Sequence, residues 1–336
     1  MKRYKQNSYK NIAAEIGLSM ATISRVINGN PNVNVATREK VLTALANHGY
    51  DLASVQSVKQ VPANSLIIFN IPSMENLFYY KVAEGAKRAA MSHGFHLLVN
   101  EEHINEKTFP SFLDMLHKSN AAGLITTNFI PKELLKKLHK ALPMVQCSEY
   151  DMEAEISCVS IDNIAATKTV MQYILALKKR HIAIVNGPIR YRYARERLRG
   201  YKEALASAGI PIDDDIILQL PEIDYDMAIS AITQLLLSAK RPEAFFCVSD
   251  AYAAAVIKAC SRVGLSVPSD VSVTGFDNIE YSSMVTPTIT TVSQPRFQLG
   301  VTSCELLVEK INNPHAPNRK IILDTELIIR ESAVVR

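Results

Sequence analysis

Two hydrophobic rhythms divide this chain, and the change between them falls near residue 65. Before it, apolar residues recur at helical spacing. Ile12, Ala13 and Ile16 mark one short helix, and Ile23, Val26 and Ile27 mark a second. Gly17 stops the first, because a residue without a Cβ turns the chain there at little cost. Ser19 reads as the N-cap of the second, its hydroxyl placed to accept from the N–H of Ala21 or Thr22. Two helices within residues 9–28, joined by a short glycine-containing turn, predict a helix-turn-helix. Residues 1–8 read as a loose basic arm. Gly29-Asn30-Pro31 is a loop, Asn34 caps a third helix from Val35 to about His48, and Val41, Leu42 and Leu45 close a small core.

Beyond a linker at 51–64, short apolar runs alternate with amphipathic stretches. The runs are LIIF (66–69), HLLV (96–99), LIT (124–126), MVQC (144–147), IAIV (182–185), FFCV (245–248) and VSVTGF (271–276). This alternation predicts parallel sheets covered by helices on both faces. The stretch is too long for one sheet, so two α/β lobes are expected, with a small ligand in the cleft between them at the carboxyl ends of the strands.

Charge sharpens the division. Residues 1–60 hold eight Lys/Arg against three Asp/Glu, a surplus of five; the whole chain carries +4, so the rest carries −1. A basic head on a near-neutral body fits a phosphate-contacting module carried by a larger domain. In a helix-turn-helix the second helix enters the major groove, led by its N-terminal residues, here Met20, Ala21 and Thr22, with Ser24 and Arg25 one turn on. Met20 and Ala21 can touch thymine methyls but make no bidentate hydrogen bond, whereas Arg25 can reach guanine or a phosphate. Lys10, Ser19, Thr22, Asn28 and Arg38 are candidate phosphate contacts, which position a head without reading sequence.

The remaining composition excludes several classes. The five scattered cysteines form no CxxC pair, which suggests reduced, mostly buried thiols in the cytosol. No apolar run is long enough to span a membrane and the start lacks a signal-peptide core, so a cytoplasmic protein is expected. No GxSxG, Walker loop, HExxH or glycine-rich dinucleotide turn is present. The chain therefore reads as neither an enzyme nor a holder of a metal or cofactor.

Ala13, Gly17, Ser19, Thr22, Ser24, Arg25, Val26 and Asn28, then TREKV at 37–41 and Gly49-Tyr50, resemble the N-terminus of the lactose/galactose repressor family of bacterial transcription regulators. The likeness continues through Ser160-Ile161-Asp162-Asn163, Gly187-Pro188, RLRGY at 197–201, Ser249-Asp250, GFDN at 275–278, Thr288 to Thr291, Gln294-Pro295 and LIIRES at 327–332. GFDNIE, TTVSQPRF, ELIIR and EKTF (106–109) lean toward the family's cytidine-responsive branch.

The resemblance implies an all-α helix-turn-helix DNA-binding head at 1–50, a hinge at 51–64, and an α/β two-lobed, periplasmic-binding-protein-like effector and dimerisation domain at 65–336. Its lobe one would hold about 65–161 and 293–324, and lobe two about 162–290 and 325–336. It implies a homodimeric repressor whose affinity for operator DNA is controlled by a small-molecule effector, nucleoside first and sugar or sugar derivative second; a small-molecule binding protein without DNA function is the other reading. In the family the hinge inserts an apolar wedge into the minor groove. Here the usual proline after Tyr50 is absent and Val58 or Leu52 would be the wedge; a flexible tether is the other reading.

For the cleft, the resemblance points to Asp277 as a sugar-hydroxyl acceptor, the other reading being a turn cap. It points to Arg197 among five arginines in residues 190–199, the other reading being one exposed basic face. Phe78 and Tyr79 match a first-lobe aromatic pair, and Asn76, Thr127 and Ser148 lie on other pocket loops. Tyr191 and Tyr193 either stack on a ring or sit on the surface at the lobe opening. Ile223 falls where some relatives place an aromatic ring, which weakens one face of a stacked base. Ser249 and Asp250 supply polar contacts, or Asp250 caps the following helix.

Overall fold

A computed structural model describes residues 4–27, 33–48, 50, 65–222 and 224–334; for residues 4–8 and 10 it describes the backbone alone. The head holds three helices, α1 (Tyr4–Glu15), α2 (Met20–Ile27) and α3 (Val35–Asn47). The chain is already helical at Tyr4, so the expected loose arm at 1–8 is corrected for residues 4–8. No proline or glycine lies there to stop the helix from growing toward the N-terminus. Gly17 sits at φ +67°, and the Leu18 N–H reaches back to the Ala13 carbonyl at 2.9 Å, a helix end only a left-handed residue can make. Ser19 Oγ accepts the Thr22 N–H at 3.0 Å, and Asn34 Oδ1 accepts the Thr37 N–H at 2.8 Å. Ile12, Ile23, Val26, Val41 and Leu45 are buried together, and the Tyr9 and Tyr50 rings stack at 5.1 Å. The linker 51–64, with Leu52 and Val58, lies outside the described residues.

The body contains two six-stranded sheets. The first is built from β1 (Ser65–Ile71), β2 (Phe95–Glu101), β3 (Ala121–Thr126), β4 (Met144–Cys147), β5 (Cys158–Ile161) and β11 (Lys320–Leu323), in the order β11-β5-β4-β3-β1-β2, all parallel. Its helices are α4 (Phe78–Ser92), α5 (Phe109–Lys118), α6 (Lys132–Ala141) and α12 (Arg296–Asn312). The second is built from β6 (Ile182–Asn186), β7 (Ile217–Gln219), β8 (Ala244–Cys247), β9 (Ser272–Asp277), β10 (Thr290–Ser293) and β12 (Glu326–Ile328), in the order β12-β10-β9-β8-β6-β7. Only β12 runs antiparallel, against β10. Its helices are α7 (Asn163–Ala176), α8 (Arg192–Ser207), α9 (Tyr225–Leu237), α10 (Asp250–Arg262) and the short α11 (Tyr281–Met284).

The central strands of both sheets are buried, β6, β8 and β9 along their length and β1 from Ile67 onward, as expected when helices cover both faces. The chain passes between the sheets three times, at 161–163, 293–296 and 323–326. Asp162 marks the first crossing by capping α7, accepting the Ala165 N–H at 2.9 Å. Helices α4 and α12 meet backbone to backbone at Gly85 and Gly300. A Cβ on Gly300 would stand 1.9 Å from the Val82 carbonyl oxygen.

Candidate functional site

A cleft of about 760 Å³ opens between the lobes. Its second-lobe wall is built by α8. Ala194, Arg197, Tyr201 and Ala204 share the buried face of that helix, so Arg197 alone of the five clustered arginines is buried, 4% exposed. Its Nε donates to Asn163 Oδ1 at 3.0 Å and its NH1 to the Val248 carbonyl at 2.6 Å, with Asp277 Oδ1 at 3.4 Å. The guanidinium lies 3.5 Å from the centre of the Phe276 ring. Asn163 is fixed in turn, donating to Glu196 at 3.0 Å.

Asp277 ends β9 at φ +103°, an uncommon place for a residue with a Cβ and the sort of backbone strain held at functional sites. Gln294 donates to its Oδ1 at 2.6 Å. Burial raises the Asp277 carboxyl above the ordinary range, against the opposite pull of Arg197 and Gln294. Asn278 follows at φ +52° and ties the turn together, accepting from Ser282 Oγ at 3.0 Å and from Arg330 at 2.9 Å.

Phe78, Tyr79, Thr127 and Ser148 line the cleft from the first lobe; Tyr191, Tyr193, Arg197, Ser249 and Asp277 line it from the second. Asn76 also lines it, and its Oδ1 accepts the Phe78 N–H at 3.0 Å. Tyr191 and Tyr193 are stacked on one another at 5.7 Å, and Phe78 meets Tyr79 edge to face at 5.3 Å. Tyr191 is buried, so it is not a surface tyrosine. Ser249 also caps α10, accepting the Tyr252 N–H at 3.3 Å.

Asp250 is placed elsewhere. It is fully buried, does not line the cleft, and neither of its oxygens caps α10. Oδ1 accepts from Thr291 Oγ1 at 2.5 Å and Oδ2 from the Ile279 N–H at 2.7 Å, so the carboxylate ties α10 to the ends of β9 and β10. Gly275 makes room for it, since a Cβ there would lie 2.2 Å from Asp250 Oδ1. Ile223 lies outside the described residues.

One cleft residue, Glu149, carried no sequence signal. Glu149 follows Ser148 in the first lobe, and both its oxygens accept the Arg192 N–H of the second lobe at 2.8 Å. Burial pushes its carboxyl up to about 7, with the Arg192 N–H and the Arg195 and Arg192 charges pulling the other way. Arg296 spans the same boundary, donating to the Leu77 carbonyl at 3.3 Å and the Asn278 carbonyl at 2.8 Å. Arg190 is held by Glu222 at 2.9 and 2.7 Å at the cleft edge. No single motif joins these residues; only the meeting of the lobes does.

In the head, α2 buries Ile23 and Val26 and leaves Met20, Ala21, Ser24 and Arg25 exposed on the opposite face, with Met20 43% exposed. Ser19 and Thr22 hydroxyls lie 2.9 Å apart, and Arg38 is half-buried on α3. The Lys10 side chain and Asn28 lie outside the described residues.

A helix-turn-helix head followed by a cleft between two parallel-sheet lobes defines a ligand-controlled, DNA-binding class of protein. Residues 8–51 match the family model for bacterial regulatory proteins of the lacI family, and residues 171–333 match that for a periplasmic binding protein-like domain. Catabolite control protein A of Priestia megaterium is 30% identical over 96% of this chain and 98% of its own. The HTH-type transcriptional repressor CytR of Escherichia coli K12 is 30% identical over 99% of this chain and 98% of its own. The solved CelR–cellobiose complex has a TM-score of 0.72 at 27% identity, covering 97% of this chain and 99% of that one. The lac repressor dimer bound to operator shares the fold, with a TM-score of 0.73 at 24% identity over 96% of this chain and 98% of that one. The chain belongs to the lacI family of bacterial regulatory proteins. It is a DNA-binding transcriptional regulator with an effector-binding body, not an enzyme. Among the described residues no helix is long and apolar enough to cross a membrane, and no cluster of His, Cys, Asp and Glu is set to hold a metal. All five cysteines are buried and free.

Proposed function

We propose that this protein is a homodimeric repressor whose cleft takes an uncharged effector, a nucleoside by preference. The observation that carries the reading is the charge state of the cleft. Its two arginines already face carboxylates, Arg197 on Asp277 and Arg190 on Glu222. Glu75, Asp224 and Asp226 add further acid to the lining. A phosphorylated ligand entering there meets repulsion and no spare cation. Aromatic rings from both lobes offer flat apolar surface, and the Asp277 and Gln294 pair offers polar atoms for ring hydroxyls.

A neutral sugar is the second reading, favoured by the cellobiose complex of the relative CelR. Effector binding acts by preferring one lobe arrangement, which alters the spacing of two heads on a pseudo-palindromic operator. The exposed α2 face, led by Met20 and Ala21, would read bases, with Ser19, Thr22 and Arg38 on phosphates. The test is a thermal-shift series with cytidine, uridine, adenosine, their 5′-monophosphates, ribose and cellobiose. A nucleoside is expected to raise the midpoint and its monophosphate to leave it unmoved. A monophosphate that stabilises more than its nucleoside overturns the reading. Gel shift on DNA from upstream of the protein's own gene then reports whether the stabilising ligand changes retardation.

A further inference from the structure

Glu149 lines a second cavity of about 210 Å³, and shares that role with no other residue of the main cleft. Its first-lobe wall is Asn128, Phe129, Gln146 and Tyr150; its second-lobe wall is Arg192 and Arg195. Asn128 and Gln146 are 4% and 3% exposed. Each has one amide atom engaged. Asn128 Nδ2 donates to the Glu102 carbonyl at 3.0 Å, and Gln146 Oε1 accepts the Asp151 N–H at 2.9 Å. Those bonds fix both amide orientations. They leave Asn128 Oδ1, an acceptor, and Gln146 Nε2, a donor, buried without partners among the described residues; Arg192 Nε is likewise unpartnered. Buried polar atoms are normally satisfied, so a wall carrying three that are not is a wall built for something to complete.

We propose that this cavity is a second binding site, for a small uncharged polyhydroxyl molecule of monosaccharide size. A hydroxyl both donates and accepts, so one class of group meets Asn128 Oδ1 and Gln146 Nε2 alike. Neither sign of ion is favoured, because the charges left without an ion-pair partner on the wall among the described residues, Arg195 and Asp151, are opposite. Arg192 is paired with Glu196 at 2.6 Å, Arg195 donates to the carbonyls of Ile189 and Arg190, and Glu153 is paired with Lys132. Phe129 and Met152, 42% and 54% exposed, give the apolar surface on which the C–H face of a sugar ring lies. The volume is several times the roughly 30 Å³ share of one water, so a solute of several heavy atoms fits. With walls from both lobes, an occupant favours the arrangement in which the lobes meet. Through Glu149 it thereby supports ligand in the main cleft, and the coupling is reciprocal.

The experiment is saturation-transfer NMR on the full chain with D-glucose as probe, glycerol as a smaller arm and glucose 6-phosphate as a charged arm. The paired replacement Arg197→Met with Asp277→Leu silences the main cleft without stranding a buried charge. Transfer to glucose is expected to persist in that variant, and affinity to fall about tenfold in Phe129→Ala and in Gln146→Leu, the loss of one good contact. Phe129 lies at the surface, so its truncation reads the site even where the paired replacement weakens the fold. Glucose 6-phosphate is expected to bind less well than glucose. No transfer to glucose or glycerol, which means solvent alone fills the cavity, overturns the proposal. So does transfer that Phe129→Ala and Gln146→Leu leave unchanged, or tighter binding of the phosphate.

Discussion

Glu149 of the first lobe holds the Arg192 N–H of the second between its two carboxylate oxygens, each at 2.8 Å. Arg192 opens α8, and the helix's own N-cap, Tyr191, makes no side-chain cap. The cap therefore comes from the opposite lobe. The helix it steadies carries Arg197 into the cleft, so one contact joins lobe closure to the placement of a candidate effector group.

That contact predicts a pH dependence. Burial raises the Glu149 carboxyl from 4.5 to about 7, so the folded protein keeps a proton that the unfolded chain releases above 4.5. Its contribution is fully present below pH 4.5 and is lost as pH rises through 7. Glu149→Gln is neutral throughout, so its unfolding midpoint is expected to fall less than the wild type's between pH 4.5 and 7. Parallel midpoints across that window in thermal melts would refute the assignment.

Arg197 and Asp277 form a buried pair, and breaking it from one side leaves a lone buried charge. Arg197→Met alone or Asp277→Leu alone is expected to cost about 3–5 kcal/mol, and the double replacement less than the sum of the two. Urea unfolding of the four proteins measures the coupling. Effector-induced thermal stabilisation is expected to vanish in all three variants.

Two glycines separate close packing from backbone conformation. Gly300→Ala drives a Cβ to 1.9 Å from the Val82 carbonyl, where α4 and α12 touch. It is expected to cost about 3 kcal/mol, the upper end of overpacking, or to leave the protein insoluble. Gly94, at φ +78° with nothing nearby, is expected to cost only about 1–2 kcal/mol as alanine. Urea midpoints of the two variants should differ in that order.

In the head, Met20 and Ala21 are exposed on the face opposite the Ile23–Val26 stripe. Replacing both is expected to change which operator is preferred while leaving the salt slope nearly unchanged. Arg38→Ala is expected to weaken all duplexes alike and lower that slope by about 1. Fluorescence anisotropy on cognate and scrambled DNA at several salt concentrations checks both.

The helix-turn-helix was legible because its signals are local. Gly17 must turn left-handed, Ser19 and Asn34 must cap, and Ile23 and Val26 must share a face, and each demand involves residues within one or two turns. The strand runs were legible for a similar reason, since a strand covered on both faces is apolar along its length. The N-terminal limit of α1 was misread because basic residues suit a helix as well as an arm.

Local signals cannot say which polar side chain faces which cavity. Asp250 follows a serine at a helix start and looks like a contact or a cap, yet it braces Thr291 and the Ile279 backbone, partners reached only when β9 and β10 lie side by side. Glu149 sits among ordinary residues in sequence, and the motifs that hold Asn163 and Gln294 do not say that these two grip Arg197 and Asp277. The sequence by itself determined the head, the alternation of strands and helices, and the two-lobed class. The tertiary structure alone decided the contents of the cleft, because burial and hydrogen-bond partnership across Glu149–Arg192 and Arg197–Asp277 depend on elements 43 and 80 residues apart.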